Sequence, residues 1–472
     1  MSHSDLLDRI NFLANDPELE TIDDSNRKQI LESIEKLRRK VETPADFTIR
    51  SVFGSHQAMV LRLAVDLGLF DAITREGGTA TTAQLAKTTG GDETLVSRIT
   101  RFLAAMNIFD ELGPSTYKAT RLSTAFTSQS PLSAVVIHAT HTLITMSQLP
   151  TYFAQTGWKT PTDATDGPFQ QTHHTRQTFF EHLDTNPHIQ QAFNTVMSMD
   201  FRRSTIRPWF ELYPTESKLL STTTTDPDPN RITLVDVGGN QGKDLVALCA
   251  HFPHLFKSTP TLAPSTATAI AKPTKQQATP PKLILQDLPT VLASIPASTT
   301  LPGCITIQPH NFFEQQPTRH AKAYFLRTVL HDWPDKQALQ ILGHLRDAMA
   351  EDSVLLVNEG VIPETGAGLM AVQTDFVMMC NYGAMERTKA QWVSLLERGG
   401  FEVCGVFGED ENCGDKGGQA GPQWFLWKSA IIYTEQPRSG NTHQAKAYQT
   451  QAQQAHASTW HPALDDAWGN SG

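Results

Sequence analysis

Cysteine is scarce in this chain and unpatterned. Cys249, Cys304, Cys380, Cys404 and Cys413 form no CxxC pair and no metal-ligand spacing. That excludes a zinc module by pattern, gives no basis for a disulfide-stapled secreted fold, and makes a reduced, cytoplasmic compartment the expectation. No run of about 18 apolar residues is long enough to cross a bilayer, and the N-terminus shows no apolar signal region, so no membrane role is expected. Basic charge is not in excess: 39 Lys and Arg face 49 Asp and Glu, a formal net charge of −10. Without a basic stripe there is no phosphate footprint, and nucleic-acid binding is not expected. Apolar periodicity is almost missing from Ser258 to Pro281 and from Glu435 to Gly472. Both stretches read as disordered, the first as a surface insertion. No internal repeat is visible, and 472 residues leave room for two domains plus tails.

The upstream part is mostly helical in pattern. Asp5 to Val41 gives two amphipathic segments broken around Asn15 to Asp24, and Ser51 to Phe70 reads as one mostly apolar helix. Two more helices follow, Thr82 to Lys87 and Glu93 to Met106, then a hairpin over Phe109 to Thr120 with a Gly-Pro turn. Helices followed by a hairpin make a winged-helix pattern. The segment in the recognition-helix position carries only Arg98 and Arg101, which again speaks against DNA.

The downstream part alternates strand and helix. LVDVGGNQG, Leu234 to Gly242, is an apolar run ending in Asp236 and a glycine cluster, with a helical pattern from Lys243 to His251. Glycines there allow close backbone approach to a nucleotide-like ligand. The spacing of Gly238, Gly239 and Gly242 is only loosely that of a dinucleotide turn. KLILQDLP, Lys282 to Pro289, reads as the next strand, ending at Asp287 and Leu288. With the insertion set aside, Asp287 falls about 20 residues past the glycines, where nucleotide folds hold ribose hydroxyls. A helix N-cap is its other reading. Cys304 to Phe313, Ala323 to Asp335 and Ser353 to Glu364 each begin as a short apolar run, with a helical pattern over Lys336 to Ala350. The expected fold is therefore α/β, a Rossmann-like doubly wound, mostly parallel sheet. Ligands in such sheets lie beyond the carboxyl ends of the strands, where Gly238, Asp287, Asn311, Arg327 and Glu359 would fall.

Taken in order, DVGGNQG, QDLP, the HDW at His331 to Trp333, NEGVIPE and the MERT at Met385 to Thr388 resemble the S-adenosylmethionine-dependent O-methyltransferases. The likeness is to the caffeate O-methyltransferase type and to fungal sterigmatocystin O-methyltransferases, and it covers roughly Val52 to Glu435. It implies S-adenosylmethionine as cofactor and catalysis by His331 flanked by Glu359 and Glu386. Cofactor contacts carry over to Asp236, Gly238, Gly239, Gly242, Asp287, Leu288, Asn311, Phe312 and Arg327. Asn311 stands where the family commonly has aspartate, so a charge is lost, and Arg327 stands where it often has lysine. FNTVM, Phe193 to Met197, resembles the family's FNxxM, whose Phe and Met sandwich an aromatic acceptor. A helix-face core pair is the plainer reading of the same spacing. Asp332, Phe376, Val377 and Asn381 match other acceptor-pocket positions. The N-terminal module would be the dimerisation domain of a homodimer. His173 and His174 read as solvated loop residues near the pocket entrance.

The chemistry follows from the residues. A phenol with a pKa of about 10 is a poor nucleophile at neutral pH, and imidazole is the natural base to remove its proton. A carboxylate on the other ring nitrogen would fix the tautomer. Together with the resemblance, this makes the expectation a cytoplasmic homodimeric O-methyltransferase acting on a hydroxylated aromatic, polyketide-type secondary metabolite. The alternative is an enzyme of the same fold catalysing a pericyclic or other non-methylating reaction. The expected divisions are 1–130 (helical, winged-helix dimerisation), 131–220 (helical connector and acceptor-pocket segment), 221–435 (cofactor-binding catalytic domain, with the insertion at 258–281) and 436–472 (tail). No metal site is expected.

Overall fold

The computed structural model describes residues 3–199, 208–220, 228, 230–256, 280–296, 299–408 and 428–435. Most of the Ser258 to Pro281 insertion lies outside the described residues, as does most of Ser221 to Asn230, whose Thr/Asp/Pro sequence reads as a linker. Glu409 to Pro422, whose polar, glycine-rich sequence reads as a loop, and the tail from 436 onward also lie outside them.

The chain begins with α1 (His3–Ala14), a single 3₁₀ turn, α2 (Asp24–Val41) and α3 (Pro44–Asp66). α2 starts at Asp23, whose side chain accepts from the Asn26 N–H. α3 starts at Thr43 in a reciprocal capping box with Asp46, with Pro44 at the first helical position. The helix expected over Ser51 to Phe70 is in fact two. Gly68, at φ +68°, breaks it and opens α4 (Leu69–Arg75). β1 (Thr79–Thr81), α5 (Thr82–Thr89), α6 (Glu93–Ala105), β2 (Phe109–Gly113), β3 (Thr116–Ala119) and α7 (Arg121–Thr124) complete this half. The hairpin gains a third strand, giving the antiparallel order β1-β3-β2. Leu69, Phe70, Ile73, Leu85, Val96 and Leu103 form its core.

α8 (Pro131–Thr156) is the longest helix, followed by α9 (Pro168–His173), α10 (Phe179–Asp184), α11 (Pro187–Ser198) and α12 (Trp209–Leu212). The sheet then begins: β4 (Leu234–Val237), α13 (Lys243–His251), α14 (Pro253–Phe256), β5 (Leu283–Asp287), α15 (Pro289–Ala293), β6 (Ile305–Pro309) and β7 (Ala323–Arg327). It continues with α16 (Asp335–Ala348), β8 (Val354–Ile362), α17 (Leu369–Tyr382), β9 (Arg387–Thr388), α18 (Lys389–Arg398), β10 (Glu402–Phe407) and β11 (Lys428–Glu435).

Strand order is β10-β11-β8-β7-β4-β5-β6, with β9 beside β8. β4 to β8 run parallel, and β11 pairs antiparallel with both β8 and β10. β4 and β7 are buried along almost their whole length, as parallel strands covered on both faces must be. One core, built on Tyr324, Leu326, Leu355, Trp392 and Leu396, covers one side. A second, built on Trp209, Leu245, Leu285 and Phe325, covers the other. The parallel register aligns the strand ends, so Val237, Asp287, Arg327 and Glu359 meet along one edge. β10 was not read from the sequence. Its residues are half exposed and its pairing slips between Val403 and Gly405, which blurs the alternation that marks a strand.

Candidate active site

Two clusters stand at the carboxyl edge of the sheet. The first is the glycine turn after β4. The N–H groups of Gly238 and Gly239 both donate to the Gln286 carbonyl, at 2.9 and 3.0 Å. Gly238 has φ +74°, and a Cβ there would come within 3.0 Å of Val329. A Cβ on Gly239 would lie 2.5 Å from the Asp236 carboxylate and from Leu285. Asp287 faces this turn from β5. One of its oxygens accepts the Asn240 N–H at 2.8 Å and the other the Leu288 N–H at 2.7 Å. Burial raises the Asp287 carboxyl, against the lowering pull of those two N–H groups. A carboxylate offers about four lone-pair positions, so each oxygen keeps one for a ribose hydroxyl. Absent Cβ atoms and a partly buried carboxylate with spare acceptors fit a nucleoside ligand such as S-adenosylmethionine.

The other expected cofactor residues are distributed around this cradle. Asn311 turns its side-chain oxygen to its own loop, accepting the Phe313 N–H at 3.1 Å. Phe312 packs beside Phe313 and Trp333. Arg327, at the tip of β7, pairs with Asp244 in the first turn of α13. α11 closes over the turn from outside, with the Lys243 ammonium donating to the Ser198 carbonyl at 3.0 Å.

The second cluster is centred on His331, on the 3₁₀ turn Leu330–Asp332 after β7. His331 is 3% exposed, Glu359 1% and Glu386 4%. His331 Nδ1 lies 2.9 Å from Glu386 Oε1, and Nε2 lies 3.4 Å from Asp332 Oδ1. Glu359, the other expected flank, acts on the imidazole through its charge and bonds to the backbone that carries it. Its Oε1 accepts the backbone N–H groups of Val329 and Leu330, at 3.0 and 2.8 Å. Burial alone would lower the imidazole, but the Asp332, Glu386 and Glu359 carboxylates outweigh it and push His331 up to about 10. Burial pushes the Glu359 carboxyl up to about 7, although the charge on His331 pulls the other way. Carboxylates outnumber cations here, so the resting imidazole is held protonated.

An aromatic wall stands beside this cluster. Phe180 packs on Trp333, Phe193 and Tyr382, at ring-centroid distances of 5.7, 6.0 and 5.4 Å. Val377 joins the same group from α17. Asn381 is buried and donates to Thr142 Oγ1 on α8 at 3.0 Å. Met197, one turn beyond Phe193, belongs instead to a neighbouring group against α8 with Ala134 and Val196. Phe376 is 49% exposed in the single chain, so it is not brought into the wall. His173 corrects the expectation of a solvated loop. Its ring lies 4.3 Å from Phe169, 5.2 Å from His182 and 5.5 Å from His141. His174 is exposed, at φ +51°.

Sequence reasoning passed over Arg387, Phe180 and Thr328. Arg387 lies inside the MERT stretch already singled out, yet nothing local marks a buried guanidinium. Among the described residues no group of His, Cys, Asp or Glu could hold a metal ion. No helix among them is long and apolar enough to cross a membrane.

Comparison with known proteins agrees with the architecture. Residues 49–129 match the O-methyltransferase dimerisation domain, and residues 265–402 match the O-methyltransferase domain. Demethylsterigmatocystin 6-O-methyltransferase of Aspergillus flavus is 32% identical over 387 residues, 81% of this chain and 89% of that protein. A solved structure described as "A Pericyclic Reaction enzyme" superposes with a TM-score of 0.70 at 27% identity, covering 92% of this chain and all of that one. LepI in complex with SAM gives the same TM-score, identity and coverage.

Proposed function

Since the chain belongs to the S-adenosylmethionine-dependent O-methyltransferases, we propose that it methylates a hydroxyl of an aromatic, polyketide-type acceptor, with His331 as the base. The observation that carries this reading is the buried pair His331–Glu386, set beside an aromatic wall and one strand away from the glycine cradle.

Bound S-adenosylmethionine supplies an electrophilic methyl group on a sulfonium. Gly238, Gly239 and Gly242 would let the backbone approach it, with Asp236 beneath the turn. Asp287 and Leu288 would hold the ribose, Asn311 and Phe312 the adenine, and Arg327 the methionyl end. Phe193 and Val377 would grip the acceptor ring, with Met197 joining them only by turning from its packing against α8, Phe376 would border its mouth, and Asn381 and Asp332 would meet its polar edges. Glu386 on Nδ1 leaves Nε2 as the nitrogen that takes the phenolic proton. An imidazole pushed up to about 10 matches a phenol of about 10, so that transfer is close to thermoneutral. The imidazole must first give up its resting proton, which places the active form at alkaline pH.

The division of the chain at 130, 220 and 435 is part of the same reading, as are a winged-helix module and a cytoplasmic homodimer. The dimerisation match supports the homodimer, together with exposed apolar side chains on α1 to α3, among them Phe12, Leu31, Ile34, Phe47, Val52 and Phe53.

A second reading follows from the carboxylates around His331, which favour its protonated form. A buried imidazolium is a hydrogen-bond donor as well as a latent base, and such a donor can polarise a carbonyl in a pericyclic or other non-methylating reaction. Mass spectrometry of products from a panel of phenolic polyketides, with and without S-adenosylmethionine, separates the two. A gain of one methylene that depends on the cofactor supports methyl transfer. A product formed without mass gain overturns it.

A further inference from the structure

The turn that carries His331 is backbone under strain. Thr328, directly after β7, has φ +48°. That left-handed conformation is rare for any L-residue and rarer for a β-branched one. Its N–H donates to the Asn358 carbonyl at 3.0 Å. Beyond it, Glu359 takes the next two N–H groups, those of Val329 and Leu330. Carbonyls of the same turn are taken by Arg387. Its guanidinium donates to the Leu330 carbonyl at 3.1 Å and the Trp333 carbonyl at 3.0 Å. It also donates to Asp335 Oδ1 at 2.8 Å. Arg387 is 1% exposed and lies 4.8 Å over the Trp392 ring. Trp392 in turn donates to the Gly360 carbonyl at 2.9 Å, beside Glu359 on β8.

The geometry points to Arg387 as a positioning residue, one jaw of a two-sided clamp whose other jaw is Glu359, holding the strained turn so that His331 stays against Glu386. The inference rests on the methyl-transfer reading for its kinetic consequence but not for its structural one. Burying a guanidinium is costly, and packing alone would be served as well by an apolar side chain. What an apolar side chain cannot do is bind two carbonyls three residues apart and a carboxylate at once. The planar fork of arginine can, and the point charge of lysine can satisfy only part of that set. Glu386 immediately precedes Arg387 in sequence, and its own N–H is held by Asp375 at 2.8 Å. The two side chains therefore grip the His331 turn from one short, anchored segment.

The test uses the full chain as wild type, Arg387→Gln, Arg387→Lys and His331→Ala. Nitrogen-labelled histidine NMR follows the His331 ring, identified by the resonance lost in His331→Ala. The groups that face this ring are Asp332 on its own turn, Glu359 on β8 and Glu386 after α17, with Asp375 on α17 and Arg387 behind Glu386. Arg387→Gln is expected to move the His331 titration by more than about half a pH unit as its carboxylate contacts loosen. It should lower kcat roughly 10–100-fold through misplacement while S-adenosylhomocysteine affinity changes less than about twofold. Arg387→Lys should recover part of both losses. A folded Arg387→Gln in which His331 titrates as in wild type, with kcat per folded molecule unchanged, overturns the clamp. Should Arg387→Gln fail to fold, Arg387→Lys and Asp335→Asn carry the same two readouts. Should the wild type methylate nothing, the proposed reaction fails, and the titration arm still decides the clamp.

Discussion

Glu386 and His331 face each other across 2.9 Å with both side chains nearly sealed from solvent. In the proposed reaction, a carboxylate in that position would fix which ring nitrogen is turned toward the acceptor and would stabilise the imidazolium that proton abstraction creates. Removing the imidazole should therefore cost the reaction far more than the binding. His331→Ala is expected to reduce turnover by roughly 10²–10⁴, with S-adenosylhomocysteine affinity little changed by calorimetry. Acceptors with more acidic hydroxyls, already ionised at the assay pH, should lose less. An equal loss across phenols of graded pKa would show that His331 positions the acceptor and does not deprotonate it.

The pH profile follows from the same charges. Asp332, Glu386 and Glu359 hold His331 up to about 10 against the opposing effect of burial. The neutral, base-competent form therefore grows as pH rises, and kcat/KM should climb between neutral pH and about 10 before levelling. Glu386→Gln removes one of the raising charges, so its limb should move to lower pH. A profile that levels near 6.5 in the wild type would contradict the charge arrangement, and a limb unmoved in Glu386→Gln would place the titration elsewhere.

The cofactor cradle gives two binding predictions. Asp287→Ala removes the proposed acceptor for the ribose hydroxyls and should weaken S-adenosylhomocysteine by calorimetry and reduce the rise in Tm that the ligand produces. Gly239→Ala forces a methyl group to within 2.5 Å of the Asp236 carboxylate and Leu285. It should lower Tm by an amount corresponding to about 1–3 kcal/mol and weaken the same ligand. Wild-type affinity in both variants would remove this turn from the cofactor site.

His141, His173 and His182 pack ring against ring between α8, α9 and α10, with His141 stacked on His182. Burial lowers all three, His141 to about 4, with the neighbouring histidines adding to the effect on His141 and His173. The unfolded chain binds their protons near 6.5, so it takes up more protons than the folded one between about 6.5 and 4. Stability from this group is present above that window and lost as pH falls through it. Thermal unfolding at pH 7.5 and pH 5 should show a larger drop for the wild type than for His141→Phe. Equal drops would mean that other groups set the acid limit.

How much of this was legible depended on how local each signal is. The glycine turn, Asp287 and His331 stand at strand ends, and a strand end is a short-range pattern of apolar run, acid and glycine. The roles of Glu359 and Arg387 are not local. Glu359 reaches the turn across 29 residues and Arg387 across 57, and no periodicity encodes that meeting. The resemblance placed Glu359 at the histidine, and the structure places its bonded oxygen on the backbone beneath it. β10 and the break at Gly68 escaped for a different reason: half-exposed strands and single left-handed glycines leave weak marks in an apolar pattern.

α8 runs for 26 residues, about 39 Å at 1.5 Å per residue. Near its start Arg62 of α3 grips the Ile137 carbonyl and Thr140 Oγ1. Two residues on, Thr142 receives Asn381 from the acceptor wall. One long helix thus joins the N-terminal half to the acceptor side. α11, which packs against α8, also reaches the glycine turn, where Lys243 donates to the Ser198 carbonyl. A shift of α8 would therefore act on the acceptor's seat directly and on the cradle only through α11, so acceptor choice can be tuned by changes far from the chemistry.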